Sequence, residues 1–305
     1  MLRYVIRRTL FMVSTIWVVV TLTFFLLRAA PGGPFDTERA VSAAVEANLR
    51  AAYNLDAPLL EQYGSYLADL LRGDLGPSYK QKDFNVAELL LHGLPISLLI
   101  GGLALAIAVV LGLAFGATMA RYRNRIIDSA LESFVTCGLA LPPLVAAPLL
   151  VLLFAVVLQW LPAGGLDSGW HFILPVISLC IPYIAAFARL SRSSCLEALN
   201  QPFTTAAQAK GVNTWRLLWH HVLPSAFVPV LSFVGPAAAT LLAGSMVVEV
   251  FFAIPGIGHY FVQGALDRDY TLVLGAVLVY TSSILVLNFI IDLALLRLDP
   301  RIRLT

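Results

Sequence analysis

The sequence predicts an all-α integral membrane protein with six spanning helices. Hydrophobic residues fill 59% of the 305 positions and charged residues only 12%, whereas soluble domains carry about a quarter charged residues. Six stretches, at about 9–28, 93–120, 133–159, 172–188, 222–248 and 270–291, approach or exceed the roughly 20 apolar residues that cross about 30 Å of hydrocarbon. Their cores contain no Asp, Glu, Lys or Arg. Helices apolar on all sides give no useful periodicity, so length and charge carry the assignment.

A third observation is where the cations fall, since short loops rich in Lys and Arg stay in the cytoplasm. With the N-terminus inside, that side holds Arg3, Arg7 and Arg8, then Arg121, Arg123 and Arg125, then Arg189, Arg192, Lys210 and Arg216, and finally Arg297, Arg301 and Arg303. In the long first outer loop, acids outnumber basic residues. Both termini are expected in the cytoplasm.

The first span runs uncharged from Thr9 to Leu27, longer than the roughly 7 to 15 apolar residues of a secretory signal, and reads as an uncleaved signal-anchor. The extracytoplasmic loop 29–92 contains helix signals over 57–72. Asn54 or Asp56 can cap, Pro58 suits a first turn, and Leu59, Leu60, Tyr63, Tyr66, Leu67, Leu70 and Leu71 recur at helical spacing before Gly73. That apolar stripe is expected to pack on the outer ends of the spans, with docking of an external partner as the sharper alternative.

The third span contains Leu141-Pro142-Pro143 and Pro148; the fifth contains Pro224, Pro229, Gly235 and Pro236. Proline interrupts the backbone ladder, and such breaks at membrane depth are tolerated where protein or a water-filled cavity covers them. Pro and Gly are also frequent in ordinary membrane helices, so pathway and filler both stay open. Pro255 and Gly256 mark an extracytoplasmic turn, a candidate gate region, in which Gly256 and Gly258 permit positive φ or close backbone contact. Cys137, Cys180 and Cys195 lie in or beside spans and indicate neither a disulfide framework nor a zinc site.

The cytoplasmic segment 197–221 is the most informative. Glu197 to Lys210 favours helix, with Pro202 as a break or fresh start. Gly211 suits a C-terminal cap with Lys210 in the last turn, and Asn213 or Thr214 can cap a second short helix, Trp215 to His221, that runs toward the fifth span until Pro224 perturbs it. Small residues on the first helix leave a smooth surface that another protein can approach.

The spacing Thr205-Ala206-Ala207, Gly211, His221 and Leu223-Pro224 resembles the coupling loop of ABC-importer membrane subunits, in which Glu-Ala-Ala is followed at fixed intervals by Gly, Ile and Leu-Pro. Thr205 replaces the Glu and His221 the Ile. Further stretches extend the resemblance along nearly the whole chain: Leu22 to Phe35, Tyr53 to Tyr79, Leu161 to Gly165, Gly244 to Gly258 and Gly264 to Leu274. The chain is similar to the B-type membrane subunits of bacterial oligopeptide and dipeptide ABC importers, most of all the oligopeptide members.

The resemblance implies a six-helix type I importer permease bundle and an ATPase-coupling role for Thr205, Ala206, Ala207, Lys210, Gly211, His221, Leu223 and Pro224. It also implies a homologous second permease forming a heterodimer, two P-loop ATPase subunits, an extracytoplasmic peptide-binding protein and surrounding membrane lipid. Nucleic acid is not an expected partner. No cofactor is expected here, with ATP and Mg bound by the ATPase chains, because no G-x-x-x-x-G-K-[ST] occurs. A bulky charge at Ala207 or Gly211 is expected to leave the protein inserted but uncoupled.

Three rival readings remain. The same architecture could import dipeptides or nickel. An ion-coupled secondary transporter would carry ionisable groups near the bilayer midplane, whereas Glu249 and Asp292 fall at span ends. An intramembrane enzyme would need a motif such as H-E-x-x-H or G-x-S-x-G, and neither occurs.

Overall fold

The computed structural model describes residues 2–30, 56–80 and 84–298. Pro31 to Phe35, Tyr53, Asn54, Arg301 and Arg303, named above, lie outside them. The described residues are helical, with one isolated bridge pairing Pro77 and Asn85. Among the described residues five helices are long and apolar enough to cross a membrane, or six when a bent pair is counted as one span.

The chain divides into two compact units, one formed by residues 2–96 and 255–283, the other by 97–254 and 284–305. In the first, α1 (Leu2–Ala29) is followed by the short α2 (Leu59–Leu71). Pro58 precedes α2, whose first turn has no side-chain cap among the described residues, so Asp56 does not cap it; Asn54 lies outside them. The face of α2 that meets α1 is aromatic and polar. Tyr63 and Tyr66 lie 5.3 and 5.6 Å from the Phe24 ring, and the Tyr63 and Thr21 hydroxyls are 2.7 Å apart. Buried Gln62 accepts from Arg28 Nε at 2.9 Å. Leu59, Leu60 and Leu71 are exposed, so the expected apolar stripe is only partly used for packing.

Also in this unit are the start of α3 (Val86–Arg121), then α10 (Ile257–Leu266), and the start of α11 (Tyr270–Leu298). Glycine lets these helices approach closely. A Cβ on Gly275 would lie 2.6 Å from Val86 Cγ1, and one on Gly93 would lie 3.0 Å from the Gly256 carbonyl carbon.

The second unit is organised around α6 (Ile173–Leu199), whose buried positions include Leu179, Phe187, Ala188 and Cys195. The remainder of α3 packs on it through Gly112 and Gly116. Cβ atoms there would fall 2.4 Å from Phe187 Cβ and 2.5 Å from Ser191 Cβ. This small-xxx-small spacing lets membrane helices meet backbone to backbone, where van der Waals contact replaces the absent hydrophobic driving force.

The third expected span is two helices, α4 (Ile126–Ala140) and α5 (Pro143–Leu150), bent by 104°. The cause is local. Leu141 precedes one proline and Pro142 another, and residues before proline are pushed out of the α region; Leu141 has ψ 103° and Pro142 ψ 146°. A π-helical stretch, Val151–Val157, continues α5. The fifth span contrasts with it: α9 (Leu223–Phe251) carries Pro229 and Pro236 without interruption, so the breaks envisaged there do not form.

Candidate functional site

The segment expected in the cytoplasm forms a helical hairpin between α6 and α9. Its first arm is α7 (Pro202–Ala209), starting at the expected proline; its second is α8 (Thr214–Leu217), extended by a π-helical stretch, Leu218–Val222, directly into α9. Gly211 has φ +77° at the turn, and a Cβ there would meet nothing within 4 Å. Its role is thus the left-handed backbone that closes helix α7. Asn213 caps α8 by accepting from Trp215 N at 3.2 Å, satisfying one of the donors a helix start leaves open.

Thr204 anchors the first arm. It is fully buried, and its hydroxyl sits 3.2 Å from the Ala198 carbonyl and 2.9 Å from that of Leu199. Those are among the carbonyls that a helix leaves unpaired at its C-terminus, so Thr204 ties α7 to the end of α6. Ala207 is also buried, in a cluster with Ala117, Ala120, Cys195, Ala198 and Leu217. This alters one expectation. Ala207 faces its own bundle, so a charge there would disturb docking of the hairpin, whereas Thr205, Ala206, Lys210 and Gly211 are exposed. His221 and Pro224 are exposed and Leu223 is half-buried at the start of α9.

Asp128 is buried near the start of α4 and receives both Nε at 3.1 Å and Nη2 at 3.0 Å of Arg192, which lies two turns before the end of α6. Asn124 N, at φ +61°, donates to the same carboxylate at 2.9 Å, and Glu132 lies 3.6 Å from Arg192. Sequence reading counted Arg192 only as a cytoplasmic cation. Its partner 64 residues away leaves no local signal.

The second candidate region belongs to the other unit. Pro255 is half-buried, and Gly256 and Gly258 are buried. Gly256 is extended and begins α10, while the positive φ expected near these glycines occurs instead at Ala253, +52°. The close backbone contact is present, at Gly93. The residue that holds the following turn is one the sequence reading overlooked. Buried Asp269 caps α11 by accepting from Leu272 N at 3.1 Å, and also receives Ser78 Oγ, Lys80 N at 3.4 Å and Thr271 Oγ1 at 2.9 Å. An Asp immediately before the apolar run at Tyr270 was the available signal.

In the same unit a cavity of about 340 Å³, a volume within the usual range for small-ligand pockets, is lined by Arg28, Gln62, Tyr66, Tyr79 and Tyr270. Burial pushes the Tyr66 phenol up to about 12, opposed by the Arg28 charge.

Comparison with known proteins adds the family. Residues 112–304 match the model of the binding-protein-dependent transport system inner membrane component, and residues 1–98 match the N-terminal model of the same membrane components. The oligopeptide transport system permease protein OppB of Haemophilus influenzae is 43% identical over 99% of this chain and 100% of its own length. The dipeptide transport system permease protein DppB of Bacillus subtilis is 41% identical over 100% of this chain and 99% of its own. Among solved structures, a chain from the MetNI methionine ABC transporter in inward-facing conformations aligns with a TM-score of 0.55 at 19% identity, covering 70% of this chain and 97% of that one. An amino acid ABC transporter gives 0.52 at 20% identity, over 71% of this chain and 95% of that one. The fold is therefore that of type I ABC-importer permeases. With its helical hairpin entering a continuous long helix and both family models matched in order, the chain belongs to the binding-protein-dependent transport system inner membrane components.

Proposed function

We propose that this chain is the membrane-spanning subunit of an ATP-driven oligopeptide importer, supplying half of the translocation pathway. A homologous permease completes the pathway as a heterodimer, two P-loop ATPase subunits lie at the cytoplasmic face, and an extracytoplasmic peptide-binding protein delivers substrate. Both termini are cytoplasmic, in keeping with the distribution of Lys and Arg. ATP and Mg belong to the ATPase chains; this chain holds no cofactor.

The observation that carries the reading is the hairpin's two-faced build. Thr204 and Ala207 fasten it inward, while Thr205, Ala206, Lys210 and Gly211 form an outward surface of mostly small residues. A second protein can seat on that surface, and its movement passes through His221, Leu223 and Pro224 into α9. ATP binding and release then favour different states of the bundle through differential contact at the hairpin. The turn at Pro255, Gly256 and Gly258 is the candidate outer gate. Ion-coupled secondary transport is the weaker reading: buried Asp128 is paired with Arg192, and buried Glu249 accepts from Ser245 at 3.1 Å.

The substrate rests on the relatives' names. The oligopeptide and dipeptide relatives lie close in identity, and a pathway poor in charge reads side chains weakly, so the binding protein sets peptide length. Exchanging it for one of different specificity should change the imported peptide; unchanged preference would refute this. The coupling role is tested by Ala206→Asp, measured as ATP-driven uptake of labelled peptide into vesicles. The variant should insert and assemble normally yet lose uptake. Wild-type uptake would refute the coupling assignment.

A further inference from the structure

The unit built around α6 contains a second feature, which shares Leu223 and Pro224 with the proposed coupling route. A cavity of about 730 Å³, within the usual range for ligand pockets, opens between the end of α3 and the start of α8–α9. Its walls include Leu113, Ala117, Leu218, Leu223 and Phe227, and Trp215 and Trp219 stand at its edge with 57% and 61% of their surface exposed. Among the lining residues one is charged, Arg121. Its Nε is buried and has no hydrogen-bond partner among the described residues. The acids of the following helix do not supply one: Asp128 and Glu132 both face Arg192. Arg123 and Arg125 are exposed one turn further along.

We propose that this cavity is a binding site for one anionic phospholipid, with an acyl chain along the apolar wall and the headgroup phosphate at Arg121. The chemistry selects that occupant. Hydrocarbon walls offer nothing to a free phosphate or a soluble peptide, while a half-buried cation whose Nε is a buried, open donor gains from a negative group placed beside it. Exposed tryptophans mark the level of the membrane interface, where aromatic side chains collect, and basic pockets between membrane helices on the cytoplasmic side favour acidic headgroups. A zwitterionic lipid fills the same wall but brings no net charge to Arg121. Only the choice of leaflet rests on the orientation proposed above.

The test uses the intact transporter, purified with its partner chains into nanodiscs of phosphatidylcholine containing increasing amounts of phosphatidylglycerol with brominated acyl chains. Quenching of Trp215 and Trp219 is obtained by subtracting the signal of a Trp215→Phe/Trp219→Phe variant. Quenching should saturate at low mole fraction, with brominated phosphatidylcholine needing about fivefold more, as roughly one basic contact implies. Arg121→Gln should abolish the preference and Arg121→Lys retain it. Equal quenching by both lipids would reduce the site to bulk lipid contact and overturn the proposal. Absence of quenching by either would also overturn it, showing the face covered by protein such as a partner helix. Should Arg121→Gln fail to assemble, competition on the wild type decides. Unlabelled phosphatidylglycerol must relieve the quenching several-fold better than phosphatidylcholine.

Discussion

The hairpin of α7 and α8 and the turn entering α11 are both short connections between long helices, yet they are held in opposite ways. The hairpin relies on local devices: a proline start, a left-handed glycine at φ +77°, an asparagine cap and one buried hydroxyl. The α11 turn relies on one buried carboxylate that gathers groups from residues 78, 80, 271 and 272. A connection fastened by its own neighbours can move as a piece. One fastened by partners about 190 residues away in sequence cannot move without breaking buried hydrogen bonds.

The largest expected effect falls on the long-range fastening. Asp269→Ala removes the carboxylate that accepts from Ser78 Oγ and Leu272 N in a buried place and should cost about 3 kcal/mol, since each buried donor left unmade carries a desolvation penalty. The measurement is the thermal midpoint of the detergent-solubilised complex, and an unchanged midpoint would break the comparison at its stronger side. Next comes Thr204→Val, which preserves shape and removes the hydroxyl at the Ala198 and Leu199 carbonyls. A loss of about 2 kcal/mol is expected, read as faster proteolysis within residues 200–215 while the rest of the chain stays protected. Gly211→Ala follows. It meets no atoms, so its cost is the left-handed backbone alone, about 1 kcal/mol, and Gly211→Asn should recover most of it. Equal losses for Ala and Asn would move the cause from backbone to packing. Ala206→Asp should be near zero in stability, within about 0.5 kcal/mol for an exposed site, which makes its effect on uptake the cleanest reading of the outward surface.

The same contrast explains what sequence reading could reach. The caps at Pro202, Gly211 and Asn213 were legible because each depends on residues within a few positions of itself. The kink at Leu141-Pro142-Pro143 was legible as a break but not as a 104° bend, since the proline pair marks where the helix stops without stating the direction its two extended residues give the chain. Pro229 and Pro236 looked equally disruptive yet sit inside a continuous helix, where neighbouring helices compensate for the lost hydrogen bonds. Asp128, Asp269 and Thr204 escaped notice as anchors: the partner of Asp128 lies far along the chain, Asp269 showed only its local capping signal and not its contacts at residues 78 and 80, and a threonine beside Thr205 carries no pattern of its own. The exposure of Ala206 against the burial of Ala207 was likewise beyond a one-dimensional spacing, which counts small residues without saying which face they occupy.

From Thr214 to Phe251 the chain is one uninterrupted helix of 38 residues. At about 1.5 Å per residue it is a rod of about 57 Å, and its near end is the second arm of the hairpin. A tilt of about 5° there displaces the far end by about 5 Å, by the geometry of a straight helix of that length. The π-helical turn at Leu218–Val222 is the one link in the rod with looser winding. Shortening or regularising that link, for example by deleting one residue within it, would rotate every side chain beyond it by about 100° and present a different face of α9 to its surroundings. The winding of five residues therefore sets the angular phase of the whole membrane portion of the rod.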